Sequence, residues 1–440
     1  MPLRLGVIAD DFTGATDIAG FLVAAGLRTV QLNDPEDASA IPAALDVEAV
    51  VISLKTRSIP ADDAVAQSLS ALRILQDLDA ERILFKYCST FDSTAEGNIG
   101  PVTDALLEAL GEDFTVVVPA LPVNGRTVYQ GNLFVHHQPL HESGMRDHPV
   151  TPMRDSNLMR LMEAQGSGSA INIPAALVSS GVDALRHRLE DVKADGARYA
   201  VLDTLTTEHL DVIGEAVAPM RLITGGSGLG SGVARAVTQI RDEPEPAQDW
   251  TFTQGPAVIL SGSCSEMTNR QVARYRETAP ALPVDIAQVL DRGVDYVAEV
   301  AGWVESAQHA GPRDPQAPNG TTAPLVYATA APEEVQARQR EHGAEEVSAA
   351  VERFFGDLAA LLRAQGTHRF ITAGGETSGA VTQALEITGF EVGPQIAPGV
   401  PWTRGLHDSL DLALKSGNFG DEDFFTTAQL VAHHTTRESR

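Results

Sequence analysis

Two adjacent carboxylates open the first turn of the chain. Asp10 and Asp11 end the apolar run Leu3–Ala9 and lead into Phe12-Thr13-Gly14-Ala15-Thr16-Asp17. In open α/β sheets, ligands collect at the carboxyl ends of strands, near the point where strand order reverses. Acids placed there can hold sugar hydroxyls or a metal, or take a proton from a reacting group. Helix capping accounts for one acid, but not for two followed by Thr13 and Gly14. A second constellation ends the apolar run Ile83–Tyr87. It comprises Lys86, then Cys88, Ser89, Thr90, Asp92, Ser93 and Thr94, and it continues to Gly97 and Asn98. A lysine at the end of a buried strand is costly unless it meets an anion. Lysine is also scarce in this chain, at Lys55, Lys86, Lys193 and Lys415 only. Hydroxyls beside an ammonium suit a polyhydroxylated acid; the plainer alternative is a Ser/Thr-rich helix cap with Lys86 at the surface. Cys88 has no neighbouring histidine in sequence to activate it as a nucleophile.

Arg126 follows the turn Asn124-Gly125, where its guanidinium can fork onto a carboxylate. The alternation of Thr127–Tyr129 and Leu133–Val135 reads as a hairpin, and an exposed hairpin offers a surface for a homodimer. The glycine-rich run Thr224–Gly232 fits G-x-G-x-x-G in no register, so a dehydrogenase reading fails, although such a loop can still cradle an anion.

Three further small-residue turns fall in the second half. They are Ser261-Gly262-Ser263-Cys264-Ser265, Gly374-Gly375-Glu376-Thr377-Ser378-Gly379 and Lys415-Ser416-Gly417-Asn418. Free N–H groups and the helix dipole favour phosphate at such turns. Three of them, one with a lysine and one with a glutamate, point to a nucleotide. Walker A, His-Arg-Asp, Gly-x-Ser-x-Gly and His-Glu-x-x-His motifs are all absent. His136, His137 and His141, and the pair His433-His434, read as loop and tail residues rather than metal ligands.

The elements that must position these turns repeat as a short apolar run, a polar turn and an amphipathic stretch. This is the βαβ signature of a parallel sheet covered on both faces. The length of 440 residues implies two α/β domains, each a largely parallel sheet flanked by helices. The acidic, proline-bearing stretch Arg241–Gly255 reads as the linker. The domains are therefore expected at 1–245, holding the acid, and 256–440, holding the nucleotide. Within the second, strands are expected at Ala257–Leu260, Pro283–Ile286 and Phe370–Ala373, a surface excursion at Ala307–Pro324 and a long helix at Glu333–Ala364.

A net charge of −27 repels phosphate backbones and anionic lipid, so nucleic acid and membrane surfaces are poor partners. Two cysteines cannot build a disulfide framework. The first residues read as a strand rather than a leader, and no apolar run approaches 18 residues, so a cytoplasmic location is expected.

The segments VIADDFTGATD, KYCSTFDSTAEGNIG, PALPVNGRTVYQGNLFV, ESGMRDHPVTPM, LSGSCSEMTNRQV, ITAGGETSGAV and LALKSGNFG, in this order, resemble the four-carbon acid sugar kinase family. NGRTVYQGNLFV, ESGMRDHPVTPM and CSTFDS resemble its 3-oxo-tetronate kinase branch more than the erythronate or threonate branches. The resemblance implies an active site in the cleft between the domains, and transfer of the γ-phosphoryl group of ATP, with Mg²⁺, to a C4 hydroxyl. It places Asp10, Asp11, Thr13, Gly14, Lys86, Ser89, Thr90, Asp92 and Arg126 at the sugar acid. Ser261, Ser263, Gly374, Gly375, Glu376, Thr377, Ser378 and Gly417 would line the ATP site. Asp11 is the expected base, Asp92 the second choice, and Lys86 or Arg126 the carboxylate holder; no metal ligand is assigned. A different acid sugar as substrate, and a non-catalytic sugar-acid sensor, are the alternatives.

Overall fold

The computed structural model describes residues 3–33, 41, 45–148, 151–238, 250–310, 322–329 and 344–438. The chain divides into two compact units, Met1–Ala247 and Gln248–Arg440.

In the first unit, short apolar runs rich in β-branched residues become strands buried along their whole length. LGVIA, AVVIS, ILFK, TVVV and YAVL are examples. They form a parallel sheet in the order Thr29–Leu32, Ala49–Ser53, Leu5–Ala9, Ile83–Lys86, Leu222–Gly225, Thr115–Val118, Tyr199–Leu202, Ala170–Ile173. From Leu5–Ala9 the chain first builds one side of the sheet, then crosses to Ile83–Lys86 on the other. The switch in strand order therefore lies between the strands that carry Asp10 and Lys86. The expected hairpin is present as Arg126–Tyr129 and Asn132–Val135, extended by Gln138–Pro139 into a small antiparallel sheet. Tyr129 and Val123 are exposed beside it.

The glycine-rich run after Leu222–Gly225 departs from its reading as a loop. Helix Ser227–Thr238 begins inside it, and its glycines are buried against neighbouring elements. A Cβ on Gly232 would lie 2.1 Å from the Leu210 carbonyl oxygen, and one on Gly228 would lie 2.5 Å from that of Ala120. These glycines serve close packing of elements, not an open anion cradle.

In the second unit, Ala281–Pro283, Leu325–Tyr327, Ala257–Ser261, Arg369–Ala373 and Asp411–Lys415 run parallel in that spatial order. Two antiparallel strands, Val400–Gly405 and Gly389–Ala397, continue the sheet. The strand expected at Pro283–Ile286 ends at Pro283, and helix Ile286–Arg292 follows, capped by Asp285. Trp250 and Phe252, inside the stretch read as linker, are buried in this unit's core, where Phe252 packs edge-on against Trp402 at 5.3 Å. The remainder of that stretch, most of the expected excursion and the first part of the expected Glu333–Ala364 helix lie outside the described residues. The described helix runs Ala344–Ala364. No helix among the described residues is long and apolar enough to cross a membrane.

Candidate functional site

In the first unit the turns after three adjacent strands are stitched together by backbone. Asp10 N–H donates to the Lys86 carbonyl (3.0 Å), while Thr56 and Arg57 N–H groups donate to the Asp10 carbonyl (2.9 and 3.2 Å). Asn98 fastens the Arg57 turn from the opposite side, donating to the Thr56 and Ile59 carbonyls at 2.7 and 2.9 Å. The carboxylates that the sequence singles out therefore meet a guanidinium that it did not.

Arg57 grips Asp10 bidentately, at 2.9 and 2.8 Å, and reaches Asp11 Oδ1 at 2.6 Å. Asp92 lies 3.8 Å away on the same guanidinium. Burial works against the Arg57 charge, but Asp10 and then Asp11 outweigh it and hold its pKa above the ordinary value. Asp11 also caps helix Phe12–Ala24, its Oδ1 accepting from Gly14 N–H at 3.0 Å. Both of its bonds fall on Oδ1. Burial raises the Asp11 pKa; Arg57 pulls the other way without cancelling it.

Lys86 is 3% exposed, yet its ammonium makes no hydrogen bond or ion pair among the described residues. It faces Asp11 across Gly14: a Cβ at Gly14 would stand 2.3 Å from Asp11 Oδ1 and 2.7 Å from Lys86 Nζ. Asp17, one helical turn beyond Gly14, is buried and accepts from Ser227 Oγ through Oδ2, while Oδ1 has no partner. Burial pushes its pKa to about 6 against the pull of Lys86. Arg126, which also acts on Asp17, donates through Nη1 to the Asn124 carbonyl, and its Nε is buried and unpartnered. Asp17 Oδ1 and Arg126 Nε are thus two buried polar atoms left unsatisfied, which is uncommon in a folded protein.

The Cys88–Asp92 turn is shaped by its own hydroxyls. Thr90 Oγ1 donates to Asp92 Oδ1 at 2.7 Å and lies 2.9 Å from Cys88 Sγ. Phe91 holds φ at +59°, a conformation that costs a bulky residue about 1–3 kcal/mol. Its ring, edge-on to Tyr87 at 5.5 Å, is what anchors it there. Burial pushes the Cys88 thiol up to about 11, so it is no thiolate at neutral pH. Thr13 and Ser89 are partly exposed in these turns.

In the second unit the turns after Ala257–Ser261, Arg369–Ala373 and Asp411–Lys415 converge. Gly262 and Ser263 N–H groups both donate to the Ala373 carbonyl at 3.0 Å, and Gly374 N–H donates to that of Lys415 at 2.8 Å. Gly374 has φ +126°, and a Cβ there would be strained and 3.1 Å from Ser263 N. A Cβ on Gly417 would meet Ser263 Oγ at 2.6 Å, and one on Gly262 would meet Thr377 Oγ1 at 2.3 Å. This floor of backbone and hydroxyls opens beside the starts of helices Glu266–Tyr275 and Gly375–Ala384, with Gly375 and Glu376 in the first turn of the second. Ser261 and Ser378 are buried instead, bonded to Thr329 (2.7 Å) and Thr372 (2.8 Å) respectively. Among the described residues no group of His, Cys, Asp or Glu is arranged to hold a metal ion. The His433 and His434 side chains lie outside the description.

Arg57 is not singled out by the sequence, while Asp17, Asn98 and Ser227 fall inside its turns without being assigned a role. The available signals were Arg57 at the exit of the apolar run Ala49–Ser53, and a carboxylate, Asp17, on an otherwise apolar helix face.

Residues 5–233 match a model for a sugar-binding N-terminal domain, and residues 258–425 one for a nucleotide-binding C-terminal domain. A relative from Brucella melitensis named 3-oxo-tetronate kinase is 56% identical, covering 98% of this chain and 96% of its own. Relatives of the same name from Pectobacterium atrosepticum and Salmonella typhimurium are each 54% identical, covering 97% of this chain and 99% of theirs. A solved structure from Salmonella typhimurium LT2, described as a tRNA synthase, superposes with a TM-score of 0.89. It is 53% identical, over 97% of this chain and 99% of that one. A solved Haemophilus influenzae protein gives a TM-score of 0.83 at 48% identity, over 97% and 100% of the two chains. The chain belongs to the four-carbon acid sugar kinase family, in its 3-oxo-tetronate kinase branch.

Proposed function

We propose that this protein uses ATP to phosphorylate the C4 hydroxyl of a 3-oxo-tetronate, giving the 4-phosphate for acid-sugar catabolism in the cytoplasm. The observation that carries the substrate half is Lys86: a buried, unpaired ammonium facing a carboxylate across a glycine. Burying such a cation without a paired anion is costly, and an anionic substrate offsets that cost. The substrate's carboxylate does so, with Arg126 Nε as a second donor. The substrate's hydroxyl meets Asp17 Oδ1, whose acceptor is otherwise unused.

Asp11 is the general base. Arg57 and Gly14 fix its Oδ1, leaving Oδ2 for the C4 hydroxyl, and burial raises its proton affinity. It takes the hydroxyl proton as the C4 oxygen bonds to the γ-phosphorus and the bond to the β-phosphate oxygen breaks. Phosphoryl transfer asks for in-line positioning and neutralised charge rather than covalent help. The turns carrying Ser263, Gly374, Gly375 and Gly417 are proposed to take the phosphates: they converge beside the starts of helices Glu266–Tyr275 and Gly375–Ala384, where free N–H groups and the helix dipole favour phosphate oxygens. Bound Mg²⁺ would supply charge neutralisation on the phosphates. Among the described residues no side chains form a metal cage, and Glu376, the acid at these turns, is the protein group that would help hold it beside the phosphates. A tRNA-directed activity is disfavoured by the net charge of −27.

The test is ADP release from Mg-ATP against 3-oxo-tetronates, erythronate, threonate and a branched oxo-acid, with product masses read in parallel. ADP formed with a phosphorylated 3-oxo-tetronate supports the proposal. Turnover on another acid alone overturns the substrate, and binding of acid without ADP overturns the kinase.

A further inference from the structure

Lys415 ends the strand Asp411–Lys415 and is fully buried. Its Nζ donates to Thr268 Oγ1 at 3.1 Å, to the Ser416 carbonyl at 3.0 Å and to the Gly417 carbonyl at 2.8 Å. Three donor directions, each ending on oxygen, are the pattern of an ammonium, since a neutral amine has only two hydrogens. All three acceptors are neutral. Thr268 Oγ1 also donates to the Gly417 carbonyl, at 2.7 Å, so this carbonyl is drawn inward twice. In a trans peptide the N–H points opposite to the C=O. Turning the carbonyls of Ser416 and Gly417 toward Lys415 therefore turns the next two N–H groups away from it, out of the turn.

Among the described residues, the elements around Lys415 bring it no counter-charge. Helix Glu266–Tyr275 presents Thr268, while its Glu266 is engaged outward by Arg270 at 2.6 Å. The Phe424 ring centroid lies 5.8 Å from Nζ, and Asp423 before it pairs with Arg274 at 3.2 Å. On the flanking strands, Arg369 and Arg404 sit in register with Asp411, at the opposite end of Lys415's own strand. Glu376, on helix Gly375–Ala384, makes no ion pair with it among the described residues.

Resting on the reading of this unit as nucleotide-binding, we propose that Lys415 is the positioning residue of the phosphate cradle. It is a buried ammonium that shapes the Ser416–Gly417 turn and backs it with charge, so that nucleotide binding is coupled to protonation of this side chain. Burial lowers its pKa to about 7, so in the free protein the charge is partly lost at neutral pH. A polyphosphate in the cradle restores it, and the proton is drawn from solvent.

The experiment is calorimetric titration of the intact protein with Mg-ADP at pH 8, in two buffers of different protonation enthalpy. At that pH the phosphates of free ADP are already ionised. The expected result is uptake approaching one proton per ADP, and a Kd that weakens toward about tenfold per pH unit above pH 7. Lys415→Met should abolish the uptake, flatten the pH dependence and weaken binding by about tenfold or more. Tight ADP binding to the wild-type protein with no proton uptake and a pH-independent Kd overturns the proposal, whether or not the variant folds. Absence of ADP binding to the wild-type protein would instead overturn the nucleotide-binding reading on which it rests.

Discussion

Gly14→Ala separates the proposed chemistry from the fold. Gly14 is buried in the first turn of helix Phe12–Ala24, and its missing side chain faces the gap between Asp11 and Lys86. A methyl group there stands 2.3 Å from one and 2.7 Å from the other, well inside van der Waals contact, so both must shift. Asp11 cannot retreat freely, since Arg57 holds the same oxygen at 2.6 Å. The stability terms oppose each other. Alanine in place of helical glycine contributes about 1 kcal/mol, and disturbing the Asp11 cap costs about 1 kcal/mol. The melting temperature should therefore stay within a few degrees of wild type. Activity should not, because ångström-scale misplacement of reacting groups costs about 10²-fold, and here the carboxylate holder and the base move together. Steady-state kinetics should show kcat/KM for the sugar acid falling about 10²–10³-fold, with the Kd for ADP unchanged. A variant that folds and keeps near wild-type kcat/KM refutes the placement of the substrate between Asp11 and Lys86.

Asp11→Asn should lower kcat by about 10²–10⁴-fold with the fold intact, as read by turnover and circular dichroism. Arg57→Met leaves Asp10 and Asp11 without their shared cation and should destabilise the protein by about 3–5 kcal/mol in denaturant melts. Asp17 has its pKa raised from 3.8 to about 6, so between these values the folded state binds its proton more tightly than the unfolded chain does. The sign is a loss of stability as pH rises through that window, on the order of 2–3 kcal/mol, which persists above it. Asp17→Asn should therefore raise the melting temperature at pH 7 to 8 but not near pH 4, while raising KM for the sugar acid.

The turns at strand ends were legible because their chemistry is local: acids, hydroxyls, lysines and glycines stand within a few residues of one another and of an apolar run. Asp10, Lys86 and the three second-unit turns could be found in this way. Arg57 could not, because it meets Asp10 across 47 residues of sequence and no local pattern marks it. The run Thr224–Gly232 misled for the opposite reason. Consecutive glycines read as a loop, whereas here they admit the Leu210 and Ala120 carbonyls against a helix, a tertiary demand that outweighs helix propensity. Asp17 and Lys415 were visible as residues, but their burial was not, and that burial gives each its chemistry. Trp250 and Phe252 were assigned to a linker on the composition around them, although two large aromatics are core residues by type.

The most direct measurement of the central claim is the fate of the γ-phosphoryl group. The enzyme, γ-labelled Mg-ATP and a 3-oxo-tetronate should yield ADP and labelled 4-phosphate in equal amounts, with the label on the C4 oxygen by mass spectrometry and phosphorus NMR. Label appearing as free phosphate, on the C1 carboxylate as an acyl phosphate, or together with AMP would contradict the account.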